Sequence, residues 1–218
     1  MGFRSMKGPP EGLAPSEEVA MTRAIPARRR EFAVGRAAAR AALQEAGLSP
    51  CALPMGPDRA PVWPSGVCGS ISHGGGMAAA LAARTTDWAS LGLDLEPAIP
   101  LEPDLADLVR APGDADNGVL PGFLAAKLIF SVKEAAFKAQ FPLTRLWLDH
   151  RDVSVSLSPT RFALTLCGER LEGAWFQKEG IFVSVMLISV KQGGKLGRFG
   201  PDVMAGQDTL ARGQTHLA

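Results

Sequence analysis

Four groups of residues in this 218-residue chain have types and spacings that could do chemistry. The first is Leu91-Gly92-Leu93-Asp94-Leu95-Glu96-Pro97. On a strand, successive side chains point to opposite faces, so Leu91, Leu93 and Leu95 share one face, and Gly92, Asp94 and Glu96 the other. Carboxylates at i and i+2 sit about 6–7 Å apart at Cα. Their oxygens can converge on one hard cation of the Mg²⁺ kind, which keeps waters and substrate phosphates in its shell, with Gly92 leaving room beside them. Two solvated acids at an exposed strand end would look the same. The second group is Phe130-Ser131-Val132-Lys133-Glu134-Ala135-Ala136-Phe137-Lys138. On a helix, Lys127, Ser131, Glu134 and Lys138 form one polar stripe beside an apolar stripe of Leu124, Leu128, Val132 and Ala135. Glu134 among lysines is either a solvated salt-bridge face or a metal-binding or basic carboxylate among phosphate-binding cations. Lys133, between Phe130 and Phe137, is expected to lay its stem on apolar surface and reach its ammonium outward.

The third group is the basic run from Arg28 to Arg40. Arg29, Arg36 and Arg40 fall within one broad helix face, and an arginine-rich helix start can grip a phosphate by bidentate bonds and by its dipole. A solvated basic face is the plain alternative. The fourth group is Arg59-Ala60-Pro61-Val62-Trp63-Pro64 followed by Gly69-Ser70-Ile71-Ser72-His73-Gly74-Gly75-Gly76. Its glycines allow close backbone approach, and Ser72 and His73 offer donors to an anion. The HGGG run is also seen in oxyanion loops of some lipases, but the G-x-S-x-G elbow that reading needs is missing. Neither a Walker motif nor G-x-G-x-x-G is present.

Composition narrows the classes. Lys+Arg total 23 against 22 Asp+Glu, for a net charge of +1. That balance excludes a globally basic nucleic-acid binder and an acidic disordered chain. The charge is nonetheless segregated: residues 1–40 hold eight basic and four acidic side chains, while residues 85–120 hold one basic, Arg110, and eight acidic. Tyrosine is absent, so no tyrosine nucleophile or acid is available. Three cysteines, at 51, 68 and 167, make no disulfide framework and fit a reducing cytoplasm. The histidines, at 73, 150 and 216, are too scattered for a zinc site. The opening MGFRSMKGPPEGLAP lacks the apolar core of a signal peptide, and the longest apolar run, Met77 to Ala83, is too short to cross a membrane.

These groups must be held by regular elements. The alanine-rich stretch from Arg29 to Ala46 predicts a helix stopped by Gly47. Short strands are expected near Val62–Trp63, Gly69–His73, Met77–Ala83 and Leu91–Glu96, then a loop or short helix over 97–120. A second long helix is expected from Gly122 to Gln140, ending before Pro142. Alternating runs at Val153–Leu157, Phe162–Leu166, Ala174–Gln177 and Ile181–Ile188 predict a meander. Each half is thus a long helix with several short strands, which suggests an α+β fold with antiparallel sheets and two comparable halves. Residues 1–24 are expected to pack loosely, 25–100 and 101–190 to form the two halves, and 191–218 to be a flexible tail.

In this order and spacing the motifs resemble the 4′-phosphopantetheinyl transferase superfamily. They are most similar to its siderophore-synthesis branch, typified by the enterobactin synthetase component. The carrying strings are G35-R36…A39-R40, P61-V62-W63-P64, G69-S70-I71-S72-H73, G92-L93-D94-L95-E96 and F130-S131-V132-K133-E134-A135-A136-F137-K138, within about residues 25–190. Ala38 stands where this branch often has Cys, Ala135 where Ser is usual, and leucines replace isoleucine-type residues around Asp94. The resemblance implies two α/β halves related by a pseudo-twofold, with coenzyme A in the groove between them. It implies transfer of phosphopantetheine from coenzyme A to a serine of an apo acyl or peptidyl carrier protein, releasing adenosine 3′,5′-bisphosphate, in siderophore or other nonribosomal-peptide synthesis. Asp94, Glu96 and Glu134 would bind Mg²⁺, with Mn²⁺ the alternative ion. Glu134 would be the base, directly or through a metal-bound water, and Lys133 and Lys138 would stabilise the transferring phosphate. Arg28 or Arg29, Arg36, Arg59, Ser72 and His73 would bind the phosphates of coenzyme A. A monomeric cytoplasmic enzyme follows, without nucleic-acid partner or stable membrane anchor. Two other classes stay open: a non-catalytic module that binds coenzyme A or the carrier, and a metal-dependent coenzyme A hydrolase.

Overall fold

The structure is a computed structural model that describes residues 1–8 and 11–199. A short strand, β1 (Gly2–Ser5), and a single helical turn, α1 (Pro15–Glu18), lead into the long helix α2 (Pro26–Glu45). Pro26 sits in the first turn of α2, where its missing N–H costs nothing. Six alanines fill its buried face, and it ends at Gly47, where φ is +67°. There the Leu48 amide donates to the Leu43 carbonyl and the Gly47 amide to that of Gln44, a Schellman closure.

Strands β2 (Val67–Gly74) and β3 (Met77–Arg84) form an antiparallel hairpin. Gly75 and Gly76, at φ +58° and +78°, make its two-residue turn, the geometry that follows the right-handed twist of the strands. The glycines of the HGGG run therefore serve a hairpin, not an oxyanion loop. β1 adds to the other edge of β3, giving a three-stranded sheet ordered β1-β3-β2. Next in the chain come β4 (Trp88–Pro97), the short helix α3 (Pro103–Val109) and the long helix α4 (Gly122–Thr144). A meander of β5 (Val155–Leu157), β6 (Arg161–Leu166), β7 (Glu169–Lys178) and β8 (Ile181–Ser189) follows, and then helix α5 (Val190–Leu196). The second sheet is antiparallel throughout and ordered β4-β8-β7-β6-β5.

Helix α2 packs on the first sheet around Val34, Ala38, Leu43, Leu53 and Ala80. Helix α4 packs on the second around Leu128, Val132, Phe162, Leu171 and Met186. Contact between α4 and β4 is close enough that a Cβ on Gly92 would stand 1.9 Å from the Ala135 carbonyl oxygen. The room expected beside Asp94 at Gly92 is thus filled by helix backbone.

The two sheets meet where β2 runs beside β4. Side-chain hydroxyls bridge this seam: Ser70 Oγ accepts from the Leu93 amide at 3.0 Å and Ser72 Oγ from the Leu95 amide at 3.2 Å. Buried amides need acceptors, and here two serines supply them.

Several expectations change. The mixed α/β architecture with antiparallel sheets holds, but the sheets have three and five strands. β4, inside the expected first half of 25–100, is hydrogen-bonded into the second sheet. Val62–Trp63 is not a strand; the nearest pairing is an isolated bridge between Met55 and Pro61. Helix α4 runs through Pro142 to a left-handed Arg145. Phe141 is held there against Phe137 and Trp147, so packing outweighs the hydrogen bond that proline deletes. Within the segment 1–24 expected to pack loosely, Glu17 is firmly anchored: it is fully buried and accepts from the Leu53 amide at 2.8 Å and from Arg40. Of the expected tail of 191–218, residues 191–196 lie in helix α5, and residues 200–218 lie outside the described residues.

Candidate active site

The site lies where the β2–β4 seam meets α4. Asp94 is buried, and its Oδ1 accepts from Ser72 Oγ at 3.0 Å and from Lys138 Nζ at 2.6 Å. Lys138 also donates to Ser72 Oγ at 3.2 Å. Glu96, two residues along β4, pairs with Lys127 at 2.8 Å. The polar stripe of α4 thus faces the strands: Lys127 reaches Glu96, Ser131 donates to Ser184 Oγ at 2.9 Å, and Lys138 reaches Asp94. These are pairs between elements, not the ladder along one helix that a solvated face would show.

Glu134 stands between them on the same stripe. Burial pushes its carboxyl pKa above the usual range. Lys138 and His150 pull it back, while the negative charges of Asp94 and Glu96 push the same way as burial. His150 Nε2 lies 3.8 Å from Glu134 Oε1, and its ring packs against Phe130 at 5.2 Å. The charges of Asp94 and Glu96 act on Glu134, yet Asp94 is turned to Lys138, Glu96 to Lys127 and Glu134 towards His150. Among the described residues no group of three or more His, Cys, Asp or Glu is gathered as a metal site. The donor set still suits a hard divalent ion. Asp94 Oδ2 is buried without any hydrogen-bond partner, and a buried carboxylate oxygen left unpaired is costly unless something positive meets it. Three carboxylates with hydroxyl neighbours are the oxygen-rich chemistry Mg²⁺ prefers.

The basic candidates divide. Arg28, at the start of α2, places Nη1 3.0 Å from His73 Nε2 and 3.2 Å from Glu31. Burial and the Arg28 and Lys138 charges lower the His73 pKa, with Glu31 and Asp94 opposing them. A neutral His73 beside Arg28 can present a hydrogen bond next to a positive charge. Arg59, held at φ +65°, lines a groove of about 740 Å³ together with Trp63, Ile71, Phe137, Lys138 and Arg145. Arg145 reaches Asp58 across this groove at 2.6 Å.

Three sequence candidates are not brought here. Arg29 pairs with Glu18 and lines a separate cleft with Glu11, Leu13 and Ala33. Arg36 is buried, donating from Nε to the Leu53 carbonyl at 2.6 Å with its guanidinium 4.0 Å over Phe32. Burial lowers its pKa to about 10. Lys133 does not reach outward: its ammonium points into the protein, to the Val109 carbonyl at 2.9 Å, Asp114 at 2.7 Å and the His150 carbonyl at 2.7 Å. Two site neighbours were missed. Lys127 was legible as a member of the stripe, whereas His150 carries no local signal. Trp147, 77% exposed, closes a second hollow of about 330 Å³ with Glu134, Phe137 and His150.

Comparison with known proteins gives this geometry a context. A family model described as the 4′-phosphopantetheinyl transferase N-terminal domain matches residues 16–83. The chain is 38% identical over 200 residues to the 4′-phosphopantetheinyl transferase Svp of Streptomyces mobaraensis, covering 83% of this chain and 80% of that protein. It is 32% identical over 163 residues to the 4′-phosphopantetheinyl transferase PptT of Mycobacterium tuberculosis, covering 72% and 71%. To enterobactin synthase component D of Escherichia coli it is 41% identical over 118 residues, covering 51% and 54%.

Proposed function

We propose that this chain, which belongs to the 4′-phosphopantetheinyl transferase family and is an enzyme of that class, moves phosphopantetheine from coenzyme A to a serine of an apo carrier protein. The observation that carries the mechanism is the unpartnered Asp94 Oδ2, buried beside Ser72 and Lys138, with the Asp94 charge acting on Glu134. Asp94, Glu96 and Glu134 would hold Mg²⁺, with Mn²⁺ as the alternative. When bound, the ion neutralises charge on the pyrophosphate oxygens.

The carrier serine is a weak nucleophile and needs a base. Glu134 takes its proton; burial raises the pKa of the free carboxyl, and a bound cation would lower it. The serine oxygen bonds to the phosphorus that bears the pantetheine. The bond from that phosphorus to the bridging oxygen breaks, and its electron pair leaves on adenosine 3′,5′-bisphosphate. Lys138 steadies the transferring phosphate by charge. Arg28, Arg59, Ser72 and His73 bind the phosphates of coenzyme A, which lies in the groove lined by Arg59 and Lys138.

Two halves related by a pseudo-twofold go with this reading, one within 25–100 and one within 101–190. Each holds a long helix followed along the chain by strands, α2-β2-β3-β4 and α4-β5-β6-β7-β8, and superposition of the two runs tests the relation. We further read the enzyme as a cytoplasmic monomer without nucleic-acid partner, serving siderophore or other nonribosomal-peptide synthesis. Among the described residues no helix is long and apolar enough to cross a membrane.

The test is mass spectrometry of apo carrier proteins from fatty-acid, polyketide, nonribosomal-peptide and siderophore systems, each with coenzyme A and Mg²⁺. A mass gain of one phosphopantetheine group, lost when Mg²⁺ is chelated, is expected. Cleaved coenzyme A with unmodified carrier would identify a hydrolase, and intact reactants a binding module.

A further inference from the structure

We infer that Lys133 and Asp114 are positioning residues for Glu134, acting through the segment that carries His150; this rests on Glu134 being the base proposed above. Lys133 and Asp114 are 3% and 1% exposed, and every partner of the Lys133 ammonium is protein. Lys133 rises from α4 immediately before Glu134 and binds three separate pieces of chain. One is the last turn of α3 through the Val109 carbonyl, the second is the 111–116 loop through Asp114, and the third is the His150 carbonyl. Asp114 spreads the clamp further, accepting from the Ala111 amide at 2.8 Å and the Val155 amide at 2.7 Å.

With its carbonyl gripped by Lys133, His150 is fixed beside the helix. Its ring rests on Phe130, and Nε2 stands 3.8 Å from Glu134 Oε1. The same lysine that looks like a phosphate ligand in the motif instead sets the wall against which the carboxylate is oriented. Part of the acidic 102–116 stretch thereby acquires a role, because Asp114 supplies the counter-charge that offsets part of the cost of burying the Lys133 ammonium.

The experiment compares wild type with Lys133→Met, His150→Ala and the pair combined, using apo carrier, coenzyme A and Mg²⁺ at a temperature where all are folded. Lys133→Met and His150→Ala are each expected to lower kcat by about tenfold to a hundredfold, as small misplacements of reacting groups do, with the KM for coenzyme A changed less than about twofold. The combined variant should lose little more than either alone, because one chain of contacts is cut twice. Leu171→Ala, a core truncation in β7 away from the site, should lower the melting temperature and leave kcat unchanged. Should Lys133→Met fail to fold, Lys133→Met with Asp114→Leu removes both charges and keeps the loss of the His150 contact, and the same fall in kcat is expected. A wild-type kcat in any folded variant lacking the Lys133 ammonium overturns the inference, as does a multiplicative loss in the combined variant. Absence of transfer by wild type on every carrier overturns the functional reading itself, and this inference with it.

Discussion

Helix α4 carries two lysine–aspartate pairs five residues apart, and they do opposite work. Lys133–Asp114 is sealed, 3% and 1% exposed, and every bond of its ammonium ends on protein. Lys138–Asp94 is open on one side: Lys138 is 29% exposed, and Asp94 keeps one oxygen without a partner. A saturated pair has nothing left to offer a ligand and acts only by holding other groups in place. An unsaturated pair costs the fold something and is ready for a ligand. Residue type and motif membership do not separate the two; the count of unmet bonds does.

The comparison can be broken most forcefully at the sealed pair. Asp114→Ala leaves a buried ammonium without its counter-charge and is expected to cost about 3–5 kcal/mol of stability, read by denaturant unfolding. A loss below about 1 kcal/mol would show the pair to be less sealed than its burial implies. At the open pair, Lys138→Ala is expected to lower kcat about 10²–10³-fold, the usual consequence of deleting a charge aimed at a reacting oxygen. Its cost to stability should be smaller than that of Asp114→Ala, since Lys138 is partly exposed and Asp94 keeps the Ser72 hydrogen bond. Equal damage to stability by the two substitutions would erase the distinction.

The smallest effect concerns Glu134 and pH. Burial raises its folded pKa above its unfolded value, so the folded state binds the proton more tightly. In the metal-free protein the contribution of Glu134 to stability therefore declines as pH rises from the ordinary glutamate range through the raised folded value. Glu134→Gln should remove that decline and be modestly more stable than wild type at neutral pH, while abolishing transfer. Matching melting curves from about pH 4 to about pH 8 for the two proteins would contradict the burial of this carboxylate.

Much of this site was readable from residue order. The alternation around Asp94 and Glu96, and the 4-3-4 spacing of Lys127, Ser131, Glu134 and Lys138, describe a strand and a helix that need only be brought together. Alanine content foretold α2, and alternation foretold the meander, which buries one regular face. What stayed hidden depends on contacts far along the chain. Lys133 sits in the motif but bonds to residues 109, 114 and 150, and no local pattern indicates which way its stem turns. Arg36 belongs to a basic run, yet its helix face is the one packed on the first sheet. The HGGG run was ambiguous until Gly75 and Gly76 were seen to turn a hairpin.

The seam between the sheets has a consequence for how the molecule breathes. Ser72 Oγ accepts from the Leu95 amide and from Lys138 and donates to Asp94, so one oxygen is shared by the joint and the chemistry. Any parting of β2 from β4 frees the Leu95 proton to exchange with solvent and unfastens Asp94 in the same instant. The solvent-exchange clock of a single backbone amide is thereby a gauge of how often this enzyme falls out of its working shape.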